Sequence, residues 1–310
     1  MLNVLFSARD GLWGVYEEPL RKAFASRNLS INLQPDFSDP EMVHYIVYGP
    51  TGPLQDFTPY SNAKAVLNLW AGVERLVKNP TLNIPLTRMV DTGLQEGMVE
   101  YVTAHVLRHH LDTDRQVLNQ NGVWDVVIPP LARDRTVAVL GLGALGEACA
   151  RQLATLNFNV LGWSRRQKEI HGVSCFCGED GLRDVLSKSD IVVLLLPLTD
   201  GTANILNADT LALLPKGAAI VNPGRGALID DDALLAALGS GHVGAATLDV
   251  FRQEPLPAEH PYWHNPKVTV TPHIASETRP ETASEIIADN IHRNENGEPM
   301  RFLVDRSAGY

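Results

Sequence analysis

The chain has 310 residues, 45% of them hydrophobic and 20% charged, and a formal net charge of −10 at pH 7. At roughly 150 residues per domain, this length suggests about two domains, each able to bury a core. The acidic balance argues against nucleic acid or an anionic membrane as the main partner, because both require a basic surface, and it obliges any anionic ligand to find a locally positive pocket.

The opening, Met1-Leu-Asn-Val-Leu-Phe, has no basic region and no cleavage site, so it reads as a first strand and not a signal peptide. Residues 4–7 predict a short strand, and 12–27 has helical spacing through Val15, Leu20 and Phe24. Apolar runs follow at 29–33, 43–48, 65–70 and 86–90, separated by loops such as Gly49-Pro-Thr-Gly-Pro53. Strands alternating with helices imply a parallel sheet covered on both faces. Residues 96–110 read as a long helix and 119–135, with Pro129-Pro130, as loop.

A second, stronger alternation begins at Thr136, with strands at 136–140, 159–163, 191–196, 218–222, 243–249 and 268–271. Helices fill most gaps, for example 144–156 and 231–238. The longest apolar run, 191–196, is far too short to span a bilayer. A final helix, opened by Thr278 as cap with Pro280 in its first turn, runs to about Asn294. The tail after Met300 is too short for a domain and is expected to return to the first one, making that domain discontinuous. Cys149, Cys175 and Cys177 lack zinc or thioredoxin-like spacing and read as reduced thiols of a cytosolic protein.

The sequence Val137-Ala-Val-Leu-Gly141-Leu-Gly143-Ala-Leu-Gly146 sets a glycine fingerprint directly after a strand and before a helix. Gly141 makes the tight turn, Gly143 lets the backbone approach a pyrophosphate, and Gly146 lets helix and strand come close. Amides of the helix start, at Ala144 and Leu145, then face the phosphate charge. About 20 residues on, an NAD site offers a carboxylate to the ribose 2′-hydroxyl. Here Val160-Leu-Gly-Trp-Ser164-Arg165-Arg166 has none, and an extra phosphate would meet a hydroxyl and two guanidiniums. NADPH is therefore the expected cofactor, with NADH the weaker alternative; the bland reading of both arginines is a solvated loop.

Three further loops follow successive strands: Asn222-Pro-Gly-Arg225-Gly226, Asp249-Val-Phe-Arg-Gln-Glu254-Pro255 and Thr271-Pro-His273. Ligands bind outside the carboxyl ends of parallel strands, so these loops can meet at one cleft. Reducing a ketone by hydride leaves charge on its oxygen, and an acid must supply a proton, a role that suits histidine. A buried carboxylate beside His273, Glu254, would favour the protonated ring and fix its orientation. Arg225 can hold a substrate carboxylate and carbonyl together. Taken singly, each residue has a dull explanation as a loop charge, a turn residue or a strand end; their order after successive strands raises the weight of the set.

With these segments, together with Leu196-Pro-Leu-Thr199, Leu248-Asp-Val-Phe251 and Thr271-Pro-His-Ile274, nearly the whole chain resembles the D-isomer-specific 2-hydroxyacid dehydrogenases. Within them it is most similar to the glyoxylate/hydroxypyruvate reductase A branch, through Trp163-Ser-Arg165, Glu254-Pro-Leu-Pro257, Pro272-His-Ile-Ala275, Thr278-Arg-Pro280 and the ending Val304-Asp-Arg with Gly309-Tyr310. The reading is thus α/β, with two doubly wound parallel-sheet domains. One is a Rossmann cofactor domain at 99–275; the other is a flavodoxin-like substrate domain from 1–98 and 276–310.

The resemblance implies that Arg225 binds substrate, Glu254 supports the histidine and His273 is the acid/base. It also implies that Asp249 contacts the nicotinamide carboxamide, and that Leu196 and Pro197 line the adenosine side. The turn Leu69-Trp-Ala-Gly-Val73 resembles the family's carboxylate-binding loop, with backbone amides from Ala71, Gly72 and Val73. Two departures are Pro223-Gly224 before Arg225, and Tyr48-Gly-Pro where the branch tends to carry tryptophan and histidine. His105 and His109 have i, i+4 spacing, but no persuasive third ligand is near and the chemistry needs no metal. In the family this helix belongs to a homodimer contact, and the resemblance implies that Trp124 either reaches into the neighbouring subunit's site or is a buried interface aromatic. The expected substrate is a small anionic 2-keto or 2-hydroxy acid. An NAD-linked enzyme of other substrate, or a dinucleotide-sensing corepressor-like scaffold, are the alternatives.

Overall fold

The computed structural model describes residues 1–50, 52–306 and 309. Thr51 of the loop 49–53 and Tyr310 of the terminal pair lie outside the described residues. The chain divides into two compact units, one made of Met1–Leu94 with Glu277–Tyr310, the other of Gln95–Ser276.

The first unit holds strands β1 (Leu2–Ser7), β2 (Ile31–Gln34), β3 (Tyr45–Tyr48), β4 (Ala65–Asn68) and β5 (Leu86–Thr87), in the order β2-β1-β3-β4-β5. All of the pairings are parallel, with the order reversing beside β1. β3 and β4 are buried along their whole length, as strands covered on both faces must be. Helix α1 (Leu12–Ser26) turns Tyr16, Leu20, Ala23 and Phe24 inward at helical spacing. It packs against the final helix, and between α1 and α9 lie α2 (Glu74–Val77) through α8, given below with their strands. α9 (Pro280–Glu295) contributes Ala283, Ile287, Ala288 and Ile291 to the same core. Its cap is Arg279, with Pro280 at the first helical position, and not Thr278 as the sequence suggested. The Thr278 hydroxyl instead donates to the Leu69 carbonyl at 2.9 Å, a bond that competes with capping.

The second unit is a seven-stranded sheet. Helix α3 (Thr92–His110) leads in, starting a turn earlier than its apolar spacing suggested, and α4 (Thr113–Leu118) follows. The strands are β6 (Thr136–Leu140), β7 (Asn159–Trp163), β8 (Ser174–Phe176), β9 (Ile191–Leu194), β10 (Ala218–Asn222), β11 (Val243–Leu248) and β12 (Val268–Val270). Between them run α5 (Ala144–Thr155), α6 (Gly178–Leu186), α7 (Ala208–Leu211) and α8 (Asp231–Ser240). The order is β12-β11-β10-β9-β6-β7-β8, every pairing parallel, with the reversal between β6 and β9. That is the doubly wound arrangement, and its ligand crevice lies at the carboxyl ends on either side of the reversal. The loops after β6, β7, β9, β10, β11 and β12 therefore share one edge. No helix among the described residues is long and apolar enough to cross a membrane.

Candidate active site

The turn after β6 needs its glycines for reasons visible atom by atom. Gly141 sits at φ +104°, and a Cβ there would lie 2.5 Å from the Leu195 carbonyl oxygen, so neither backbone nor space admits a side chain. A Cβ on Gly146 would come within 1.8 Å of the Gly141 oxygen, which locks α5 onto the turn. Gly143 is different, because nothing lies within 4 Å of its virtual Cβ. The space is open on the side where a ligand backbone would approach. Gly143 also caps α5 with no side-chain hydrogen bond, so the first amides of the helix, at Ala144 and Leu145, are offered outward with the positive end of the dipole. These residues fit a pyrophosphate.

At the end of β7 the Ser164 hydroxyl donates to the Arg166 carbonyl at 2.8 Å and closes the turn, leaving Arg165 and Arg166 exposed. A third cation joins them. Lys168 Nζ donates to the Leu142 carbonyl at 2.5 Å, inside the glycine turn, and stands 3.7 Å from Glu147 Oε2. Sequence reasoning missed Lys168, since only the fold brings the loop after β7 back to Leu142. After β9, Leu196 is buried in the core and Pro197 is half-exposed, so of these two only Pro197 offers appreciable surface.

Arg225 follows β10 in extended backbone, φ −145°, and caps a short 3₁₀ turn. Its loop is braced by Asn222, whose Nδ2 donates to the Arg225 carbonyl at 2.9 Å while its Oδ1 accepts from the Gly224 amide at 3.1 Å. Glycine is required at 224, where a Cβ would meet the Leu194 oxygen at 2.8 Å. Gly226 is more demanding, its virtual Cβ falling 2.1 Å from the Phe251 carbonyl carbon. The Arg225 loop is thus laid directly on the loop that carries Glu254.

His273 Nδ1 lies 2.7 Å from Glu254 Oε2, and the other carboxylate oxygen accepts the Phe251 amide at 2.9 Å. The pair is not buried as expected; its side chains are 54% and 36% exposed. Both residues sit on loops beyond the strand ends, so the carboxylate fixes the ring by direct contact and not by desolvation.

What is buried is Asp249, 0% exposed. Its Oδ1 accepts from the Thr271 hydroxyl at 2.6 Å and the Ile274 amide at 2.8 Å, and its Oδ2 accepts the Ala275 amide at 2.9 Å. Its backbone carbonyl takes the His273 amide at 2.9 Å, which holds His273 at φ +55°, a conformation non-glycine residues adopt at a cost. Thr271 has one hydroxyl proton and gives it to Asp249, so the 2.7 Å contact with Tyr101 is donated by the Tyr101 phenol. Helix α3 is thereby tied to the histidine loop. Asp249 spends both oxygens on that loop, and the structure gives it no exposed atom.

On α3, His109 Nε2 meets the Thr247 hydroxyl at 2.9 Å and the His105 ring packs on Tyr101, with centroids 4.3 Å apart. No group of three potential metal ligands occurs among the described residues. In the first unit the turn 69–73 follows β4, with Ala71 and Gly72 half-buried and Val73 buried.

A family model described as the NAD-binding domain of D-isomer specific 2-hydroxyacid dehydrogenase matches residues 101–275, more than half of the chain. The chain belongs to that family. A glyoxylate/hydroxypyruvate reductase A of Yersinia enterocolitica is 42% identical over 255 residues, covering 80% of this chain and 82% of that protein. Among solved structures, a family member from Xanthobacter autotrophicus Py2, in complex with NADPH and MES, superposes with a TM-score of 0.92 at 41% identity over 100% of this chain and 99% of that one. An NADPH-dependent glyoxylate/hydroxypyruvate reductase from Sinorhizobium meliloti, in complex with NADP and sulfate, gives 0.87 at 32% identity over the whole of both chains. Dehydrogenases of this family thus share both of the parallel sheets described above.

Proposed function

We propose that this 2-hydroxyacid dehydrogenase reduces glyoxylate or hydroxypyruvate to glycolate or D-glycerate with NADPH, and that His273 supplies the proton. The observation that carries the reading is the His273 Nδ1–Glu254 Oε2 contact of 2.7 Å at the carboxyl edge of the dinucleotide-type sheet. With Nδ1–H held by the carboxylate, Nε2 is the ring atom left to exchange a proton with a substrate oxygen. When bound, NADPH supplies a hydride to the carbonyl carbon. His273 then delivers its Nε2 proton to the carbonyl oxygen, and Glu254 keeps the ring aligned throughout. Arg225 binds the substrate and offsets charge that develops on its oxygen, and in the first unit the backbone N–H groups of Ala71, Gly72 and Val73 serve as a carboxylate-binding loop.

The cofactor preference is supported by Ser164, Arg165 and Arg166 at the end of β7, and by Lys168 anchored on the glycine turn. A 2′-phosphate there meets cations and a hydroxyl, and no carboxylate stands in the 164–166 turn to favour a bare ribose. The unpaired state of the three cysteines suits a reducing compartment, and we place the protein in the cytoplasm. We also propose a homodimer, on the strength of exposed apolar side chains in the segment 117–131, where Val123, Ile128 and a Trp124 that is 93% exposed would otherwise face water.

The test is direct. Purified protein should consume NADPH when given either keto acid, and His273→Ala should lower kcat by about 100-fold or more. Equal turnover of wild type and variant would refute the assigned acid. Tight NADPH binding without turnover across a panel of 2-keto acids would point to a sensing role instead.

A further inference from the structure

The turn that follows β4 is held by a residue that no motif singles out. Asn68 ends the strand, is 1% exposed, and uses both hydrogens of its side-chain amide on one turn. Nδ2 donates to the Trp70 carbonyl at 2.7 Å and to the Gly72 carbonyl at 3.0 Å. The Trp70 carbonyl also accepts the Met89 amide at 3.0 Å, and the Leu69 carbonyl accepts the Thr278 hydroxyl at 2.9 Å. Three carbonyls of the turn, at 69, 70 and 72, are therefore engaged by protein donors. The amides show the reverse. Among the described residues, none accepts the backbone N–H of Ala71, Gly72 or Val73. A turn whose oxygens are bound by the protein and whose successive N–H groups are left over is polarised for an anion, as in the amide concavities that hold phosphates and carboxylates.

Asn68 itself is a poor choice for stability. Its Oδ1 is buried with no hydrogen-bond partner. Native proteins leave few buried acceptors in that state, and such a group calls for an explanation beyond folding. An apolar residue of the same size would remove the orphaned oxygen, but it would also free the Gly72 carbonyl and leave the Trp70 carbonyl to the Met89 amide alone, letting the peptide planes rotate. The amide side chain is what holds those planes with oxygen inward.

We propose that Asn68 is a positioning residue for substrate recognition: it fixes the turn 69–73 so that the N–H groups of Ala71, Gly72 and Val73 bind the substrate's carboxylate. The proposal rests on the assignment of those amides to the carboxylate and adds the residue that orients them. Asn68 touches neither substrate nor cofactor, so its effect falls on affinity for the carboxylate and not on the chemical step.

The test compares glyoxylate with its neutral methyl ester in wild type, Asn68→Leu and Asn68→Ser. Wild type should prefer the anion. Asn68→Leu should raise KM for glyoxylate on the order of tenfold, the size of one hydrogen bond to a charged group. Asn68→Ser, which keeps one donor, should fall between the two. The kcat for glyoxylate, the KM for NADPH and the KM for the ester should each stay within about twofold, a split that general loosening of the fold would not produce. If wild type prefers glyoxylate and neither variant weakens that preference, or if the ester KM rises in parallel, Asn68 is not the positioning residue. If wild type does not distinguish acid from ester, the carboxylate assignment fails and the proposal falls with it. Should Asn68→Leu not fold, Asn68→Ser carries the comparison.

Discussion

His109 makes the second unit acid-sensitive by an amount that can be worked out. Burial, with the Arg108 guanidinium adding to it, pushes the His109 imidazole down from an ordinary 6.5 to about 4. The ring is therefore neutral in the fold at pH 5, bonded to the Thr247 hydroxyl, whereas the unfolded chain carries it largely protonated. A folded value below the unfolded one means that stability is complete above pH 6.5, declines as the pH falls, and stops declining below about 4. At pH 5 the loss from this one ring is about 2 kcal/mol, and it approaches about 3 kcal/mol at the acid limit. Thermal melts of wild type and His109→Gln at pH 7.5 and pH 5 read this out. For a unit of this size, about 2 kcal/mol corresponds to roughly 4–8 °C, so the acid-induced drop in melting temperature should be smaller by that margin in the variant. His105 and His110, also lowered by burial, titrate in both proteins and cancel in the comparison. Identical acid losses in the two proteins would refute the reasoning, because they would mean that His109 is protonated alike in folded and unfolded chains.

Other substitutions probe the site. Gly146→Ala drives a methyl group into the Gly141 carbonyl and should abolish NADPH binding or soluble expression; a fluorescence titration giving an unchanged Kd would contradict the close-approach argument. Thr271→Val removes the hydroxyl between Tyr101 and Asp249 and should cost about 1–3 kcal/mol in denaturant unfolding, with a lower kcat, because a buried carboxylate loses a donor beside the His273 loop. Ser164→Asp with Arg165→Ala should shift the ratio of kcat/KM for NADPH over NADH towards NADH by about tenfold or more; an unmoved ratio would locate the 2′-phosphate elsewhere. Trp124→Ala with Ile128→Ala should weaken self-association in sedimentation, and an unaltered dimer would remove the segment 117–131 from the interface.

Much of this architecture is legible in the residues, for reasons that vary along the chain. β6, β7 and β10 are mainly apolar stretches bounded by turns, each with one polar end residue, and their spans are read directly. β8 is not, because Ser174–Phe176 is a three-residue edge strand with an exposed end and no alternation to find. The start of α3 lies in Thr92-Gly-Leu-Gln, where a glycine disguises the helix. Glu254 and His273 meet because two adjacent strands deliver them, which strand order predicts; that the pair lies open is set by loop length, which the sequence does not display. Lys168, Asn68 and Tyr101 carry no motif. Each acts on residues remote in sequence or through carbonyls, so only coordinates reveal their partners. A strand-terminal Asn with Trp-Ala-Gly-Val two residues on is the one local signal, a turn-favouring residue followed by a glycine, that points to the 69–73 turn.

The first unit's core is finished from far downstream. Val4, Phe6, Leu20 and Phe24 pack with Ala283, Ile287 and Ile291, and the returning strand of chain pairs Val304 with Leu86 and sets Arg306 against the Ile84 carbonyl at 2.6 Å. During synthesis on the ribosome, residues 95–276 emerge with every strand of their own sheet, while residues 1–94 must wait, with one helix face uncovered, for nearly two hundred more to be made. Nascent chains of this protein will therefore acquire a closed dinucleotide-type sheet before the core of the first unit is complete, and a ribosome that stalls within α9 will release a molecule with one finished half and one half exposed to aggregation or proteolysis.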